Sequence, residues 1–184
     1  MKRKIIGIFA GAVVSVIVLL AAGWVVFVPS NREPPYKFVI AWGEKGSIPG
    51  AFNDPTGIAI AANEVYVADS RNGRIQVFDM AGNFRRAFGR PGKALGRPMN
   101  LTAHNGELYV PEYFNDRVQV FALDGTPERI IGAPGSGAGQ FDAPGGVAVG
   151  ADGALIVADF YNQRIQQLVA DGTPVRQWGT TREI

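Results

Sequence analysis

The strongest constraint on this 184-residue chain is a stretch that recurs three times. Ala68 to Phe78 reads ADSRNGRIQVF, Pro111 to Phe121 reads PEYFNDRVQVF, and Ala158 to Leu168 reads ADFYNQRIQQL. Other residues keep the same register: Pro55, Pro98 and Pro144 precede the stretch, and Gly89, Gly132 and Gly179 follow it. Within it stand Asp69, Glu112 and Asp159, then Arg74, Arg117 and Arg164. Successive anchors lie 43 and then 46 or 47 residues apart, the difference falling in the Gly-rich segment GAPGSGAGQF. A fixed period in the forties marks a repeat architecture, in which each unit buries its apolar faces against its neighbours.

Inside one period the short runs read as strands. GIAI, VYVAD, RIQVF and FRRAFG are rich in β-branched and aromatic residues, and turn-forming residues separate them. The second period offers NLTA, LYVPE, RVQVF and PERIIG, and the third GVAV, LIVAD, RIQQL and PVRQWG. No segment after Tyr36 has a helical period of apolar residues. Four short strands per repeat make a β-propeller blade, so the predicted fold class is all-β, with four-stranded antiparallel blades at about 51–89, 94–132 and 140–179. The segment YKFVIAWG, residues 36–43, reads as an orphan outermost strand.

A different kind of segment precedes the repeats. Ile5 to Val28 contains no charge, Asn, Gln or Pro. As a helix it would be about 36 Å long, enough to cross a hydrocarbon core of about 30 Å. Residues 1–30 are therefore expected to form an N-terminal transmembrane signal anchor. A cleaved signal peptide is the competing reading, but the apolar residues Trp24 to Val28 continue past the small residues Ala21, Ala22 and Gly23. Lys2, Arg3 and Lys4 place the N-terminus in the cytoplasm and the repeats in the periplasm or outside the cell. Residues 31–35, with Pro34-Pro35, form a short stiff link to the propeller segment 36–184.

Charge and cysteine content exclude some functions. The chain has 18 basic and 16 acidic residues, but three of the basic ones lie in the leader, so the repeats are close to neutral. Bulk charge gives no support for a nucleic-acid partner. The absence of cysteine removes disulfides and thiolate metal sites. His104 is the only histidine, and no metal or other cofactor is expected.

The pattern Pro-x-Gly-(strand), then Val-Ala-Asp, then Asn-x-Arg-Ile/Val-Gln, then a closing Gly resembles the NHL repeat. The resemblance runs from Trp42 to Gly179. The family's usual His in an Asn-His-Arg triplet is replaced by Gly73, Asp116 and Gln163, and Pro111-Glu112 stands where Ala-Asp is expected. The resemblance implies a propeller that binds a protein or peptide partner, or an envelope glycan. Some propellers similar to this one are lyases or lactonases, which would put an active site in blades this chain does not show. A third reading is an accessory subunit of a larger membrane complex. Three blades do not close a ring when propellers have about four to eight. Truncation, a homodimer, and a partner that supplies the missing blades are the three explanations, and an open blade face predicts association.

The recurring acid, Asn and Arg appear in every blade, whereas a catalytic site is needed once. Asp69 with Arg74, Glu112 with Arg117, and Asp159 with Arg164 are therefore expected to be structural pairs beside a turn stabilised by Asn72, Asn115 or Asn162. No catalytic residue is assigned. Tyr113, Phe114, Phe160 and Tyr161 occupy the loop positions of Ser70 and Arg71, and loops opening on one face would gather four rings there. With Arg71 they form the candidate partner-binding set, with packing of one ring of each pair between blades as the alternative. Neither GAPGSGAG nor GRPGKALG has the helix or hydroxyl that a phosphate-binding loop requires.

Overall fold

The computed structural model describes residues 37–89 and 95–179. The expected membrane helix, the link 31–35 and the Gly92-Lys93 pair lie outside them. Among the described residues no helix is long and apolar enough to cross a membrane.

Three four-stranded antiparallel sheets succeed one another along the chain. Blade 1 consists of β1 (Pro55–Ala61), β2 (Glu64–Asp69), β3 (Arg74–Asp79) and β4 (Phe84–Phe88). Blade 2 consists of β5 (Thr102–His104), β6 (Glu107–Glu112), β7 (Arg117–Ala122) and β8 (Pro127–Ile131). A two-residue parallel pair, β9 (Ala133–Pro134) and β10 (Gln140–Phe141), pins the Gly-rich linker. Blade 3 consists of β11 (Pro144–Val149), β12 (Leu155–Asp159), β13 (Arg164–Leu168) and β14 (Pro174–Trp178). Strand order within each sheet follows the sequence, as hairpin connections dictate.

The period-two alternation of the strands builds the core between blades, because successive side chains point to opposite faces. Tyr66, Ala68, Ile75 and Val77 of blade 1 meet Leu101, Leu108, Val110 and Phe121 of blade 2. On its other face, blade 2 sends Tyr109, Val118 and Val120 to meet Val147, Leu155, Val157 and Leu168 of blade 3. The innermost strands approach closely. At Gly57 a Cβ would collide with the Met99 carbonyl oxygen and lie 2.9 Å from both Asn100 Cα and Leu101 N.

Two devices join blades, the first at both boundaries and the second at the boundary between blades 1 and 2. The last residue of an outer strand covers a turn glycine: Phe88 lies over Gly125 and Ile131 over Gly172. Trp42 lies over Gly82 in the same manner and packs 6.2 Å from the Phe78 ring. The second device is a Glu-Tyr-Arg clasp. Arg86 reaches Glu64 at 2.7 Å and donates to the Leu123 carbonyl of blade 2 at 2.7 Å, with Tyr66 Oη 3.2 Å from the same oxygen. Glu107, Tyr109 and Arg129 repeat the group within blade 2, with Arg129 donating to Glu107 Oε2 at 3.0 Å, but the described hydrogen bonds do not carry it to blade 3. In blade 3 the corresponding residues are Ala154, Ile156 and Arg176, and Arg176 lies over Trp178 instead, 4.5 Å from the ring centroid.

The clasp makes stability depend on pH. Arg129 beside Glu107, with help from Tyr109, holds the Glu107 carboxyl down at about 2 from an ordinary value of 4.5. A carboxyl with a lowered folded value adds stability that is fully present above about 4.5 and is lost as the pH falls towards 2. The melting temperature should therefore drop across that window. Glu107→Gln should flatten the drop while lowering the melting temperature at neutral pH, and an unchanged profile would remove the clasp from the acid limb.

The expected orphan strand differs. Residues 37–43 carry no strand. A strand is held by the hydrogen bonds of a neighbouring strand, and every third strand among the described blades already has its own fourth. NLTA also begins its ladder late: β5 starts at Thr102, and Asn100 makes an isolated bridge to Gly146 of blade 3.

Candidate binding site on the loop face

The loops between second and third strands, 70–73, 113–116 and 160–163, open on one side of the array together with the linkers that enter each blade. Each loop must reverse the chain in four residues. Gly73, Asp116 and Gln163, the positions where the repeat pattern departs from its usual His, all adopt the left-handed conformation, with φ of 61°, 50° and 52°. The residues before the three prolines do likewise: Asp54, Arg97 and Ala143 have φ of 61°, 57° and 53°. Glycine alone adopts such angles without steric cost, so the other five positions are held by their surroundings.

The recurring acids are buried hubs. Asp69 accepts from the Asn53 amide at 2.7 Å through one oxygen, and from Asn72 (2.8 Å), Arg74 (2.7 Å) and Gln76 (3.2 Å) through the other. Asp159 repeats this with the Asp142 amide, Asn162, Arg164 and Gln166. Glu112 accepts from the Gly96 amide at 2.7 Å, from Asn115, and from Arg117 at 3.0 Å. Arg74 also donates to the carbonyls of Ser47, Ile48 and Ala51, and Arg164 to those of Ser136, Gly137 and Gln140. The acid, Asn and Arg thus tie the incoming linker to the loop in the first and third blades. Gln76 and Gln166 complete the hubs, a role the sequence reading missed although Gln follows Arg by two residues in each repeat.

The four aromatic residues come together. Centroid separations are 5.3 Å for Tyr113 and Phe114, 5.9 Å for Tyr113 and Tyr161, 6.4 Å for Tyr113 and Phe160, and 5.1 Å for Phe160 and Tyr161. The Tyr113 and Tyr161 hydroxyls are hydrogen-bonded at 2.7 Å across the boundary between blades 2 and 3. That contact, more than the slight burial beside it, raises the Tyr113 hydroxyl above its ordinary value. Phe114, Phe160 and Tyr161 are 67%, 61% and 57% exposed, so these three do not pack into an inter-blade core; Tyr113 is half-buried.

Arg97 extends the cluster towards blade 1. Its guanidinium lies 5.5 Å from the Tyr113 centroid and 5.8 Å from that of Phe114. Between it and Arg71 lies Asp54, whose Oδ2 is 3.3 Å from each arginine. Arg71, Arg97, Leu95 and Phe114 line a groove of about 600 Å³ between blades 1 and 2. Arg97 and Asp54 are repeat-equivalent residues, one before each proline, and neither was singled out from sequence. Among the described residues no group of three or more His, Cys, Asp or Glu is placed to hold a metal ion. His104 ends β5, away from this face.

Comparison with known proteins follows the same lines. The NHL repeat matches residues 52–78 and 141–168, in blades 1 and 3. Blade 2, which carries Pro111-Glu112, lies outside the matched residues while keeping the four strands. A segment of 53 residues, 28% of this chain and 5% of its relative, is 47% identical to Protein brain tumor of Drosophila melanogaster. Among solved structures, a streptogramin B lyase superposes with a TM-score of 0.56 at 21% identity, over 70% of this chain and 41% of that one. A catalytically inactive virginiamycin B lyase from Staphylococcus aureus, solved with quinupristin, gives 0.57 at 19% identity, over 75% and 43%. Glutaminyl cyclase from Myxococcus xanthus gives 0.52 at 14% identity, over 67% and 51%. The chain spans about half or less of the length of each of these proteins, and likeness at such identities concerns the fold alone. The chain thus carries NHL repeats at residues 52–78 and 141–168, and its blades superpose on those of β-propeller structures.

Proposed function

We propose that the chain is a binding module whose loop face receives a protein or peptide partner, held at a membrane by the apolar segment Ile5 to Val28. The observation that carries this reading is the cluster of half-buried Tyr113 with exposed Phe114, Phe160 and Tyr161, and Arg97 stacked beside it. Aromatic and arginine side chains dominate the energetics of protein interfaces, because they bury large rigid surfaces at little entropic cost. The hubs below the cluster fix the loops that carry it, so the rings are presented in one arrangement before a partner arrives. Only the uncharged run in the sequence supports the membrane segment, which sets the repeats on the side opposite the Lys2, Arg3 and Lys4 cluster.

A photo-crosslinking residue tests the binding face in the full-length chain. Placed at Phe160 it is expected to trap a discrete protein in the native host. Placed at Asn83, in the turn at the other end of blade 1, it is expected to trap none. Equal capture from both positions, or none from Phe160, would overturn the assignment. Resistance of the full-length chain to alkaline extraction from membranes checks the anchor, and its release would remove it.

A further inference from the structure

We infer that the groove between blades 1 and 2 takes an acidic side chain of an extended peptide, whose next same-side residue is apolar and rests on Phe114. This inference rests on the proposed role of the loop face and names its ligand chemistry.

The first argument compares arginines. Arg74 spends its donors on Asp69 and three carbonyls, and Arg164 on Asp159 and three. The guanidinium groups of Arg71 and Arg97 each make one described hydrogen bond, both to Asp54 Oδ2 and both at 3.3 Å. Buried Arg97 Nε has no hydrogen-bond partner among the described residues. A guanidinium matches a carboxylate in a two-pronged fork, and both of these have donors left over for one.

Charge and spacing point the same way. One carboxylate stands between two guanidinium groups, so this end of the face carries an excess positive charge. Asp116 and Asp142 lie on the far side of the rings, where Asp116 accepts from the Ala143 amide and the Asp142 carbonyl from the Tyr161 amide. They repel an anion and orient the ligand with its acid towards blade 1. Same-side residues of an extended chain repeat every ~6.6 Å, close to the 5.1 to 6.4 Å between the rings. A peptide can therefore set one side chain in the groove and the next two along the aromatic strip.

The test is calorimetric titration of the full-length protein with the end-blocked peptide Ser-Glu-Ser-Phe-Ser-Phe-Ser and its Gln counterpart. The Glu peptide should bind about two- to fivefold more tightly than the Gln peptide, and Arg71→Gln or Arg97→Asn should remove that advantage. Asp54→Asn should tighten the Glu peptide by a similar factor. Asn tolerates the left-handed backbone at position 54 and frees both guanidinium groups, a gain that a purely structural role for Asp54 would not produce. Equal affinity for the two peptides, no binding of either, or an unchanged affinity in Asp54→Asn would overturn the inference. So would oligogalacturonate binding where the peptide does not, which would give the groove to an acidic glycan. Crosslinking from Phe160 in an Arg71→Gln, Arg97→Asn double variant separates the two readings: if it persists while the peptide tests fail, the loop face stands and only the acid recognition falls.

Discussion

Asp69→Ala is expected to destabilise the protein by about 3–5 kcal/mol, the cost of removing one partner from a buried, charged and fully bonded group. Asp69 has no exposure to solvent, and its loss leaves the Asn53 amide, Asn72, Gln76 and one donor of Arg74 without their acceptor. Asn in its place cannot repair the hub. Its amide nitrogen must face either the Asn53 amide or the three donors at the other oxygen, so Asp69→Asn should also lose about 2 kcal/mol. Asp54→Ala, which loses an exposed carboxylate with two long contacts and sets Ala in a left-handed backbone, should cost only about 1–2 kcal/mol. Denaturant unfolding of the three variants measures the contrast. Hydrogen exchange should show the damage in Gly46 to Asn53, the linker that the hub holds. If Asp69→Ala and Asp54→Ala unfold alike, the recurring acid is not the anchor of the blade.

A single added methyl group should have nearly as large an effect at Gly57. Gly57→Ala drives its Cβ into the backbone of Met99 to Leu101, and backbone cannot swing aside as a flexible side chain can. The innermost strands of blades 1 and 2 must then separate, straining a packed boundary that includes Leu101 and Ala103. An overpacking cost of about 3 kcal/mol is expected. Gly146 occupies the same repeat position in blade 3, but its nearest neighbour there would be Asn100 Nδ2 at 3.8 Å, so Gly146→Ala should change stability by less than about 1 kcal/mol. Thermal unfolding of the pair decides the matter. Equal losses would mean that glycine is needed for conformation at this position and not for close approach.

The two glycines show what the sequence could tell and what it could not. Both stand two residues after a repeat proline, and nothing in the sequence separates the one that is crowded from the one that is free. The strands were legible because the period of 43 to 47 residues superposes three independent copies of each apolar alternation. The expected strand 36–43 had the right composition, but strand formation depends on a neighbour that composition does not supply. The aromatic cluster was legible as four residues in equivalent loops. Its extension through Arg97 to Arg71 was not, because a left-handed arginine before a proline carries no familiar signature, and its pairing with Asp54 spans one whole repeat.

The clasp at the blade boundary has a consequence for how such arrays change over generations. Arg86 and Tyr66 meet the next blade at a main-chain oxygen, that of Leu123, and ask nothing of the side chain there. A blade copied by gene duplication presents that oxygen whatever residue it carries, and it is gripped from its first appearance without a compensating substitution. Blade 3, with Ala154 and Ile156 in place of the Glu and Tyr, lacks two of the three residues that make the grip. Growth of the array by copying is therefore directional: a duplicate of blade 1 carries a ready-made joint forward, and a duplicate of blade 3 does not.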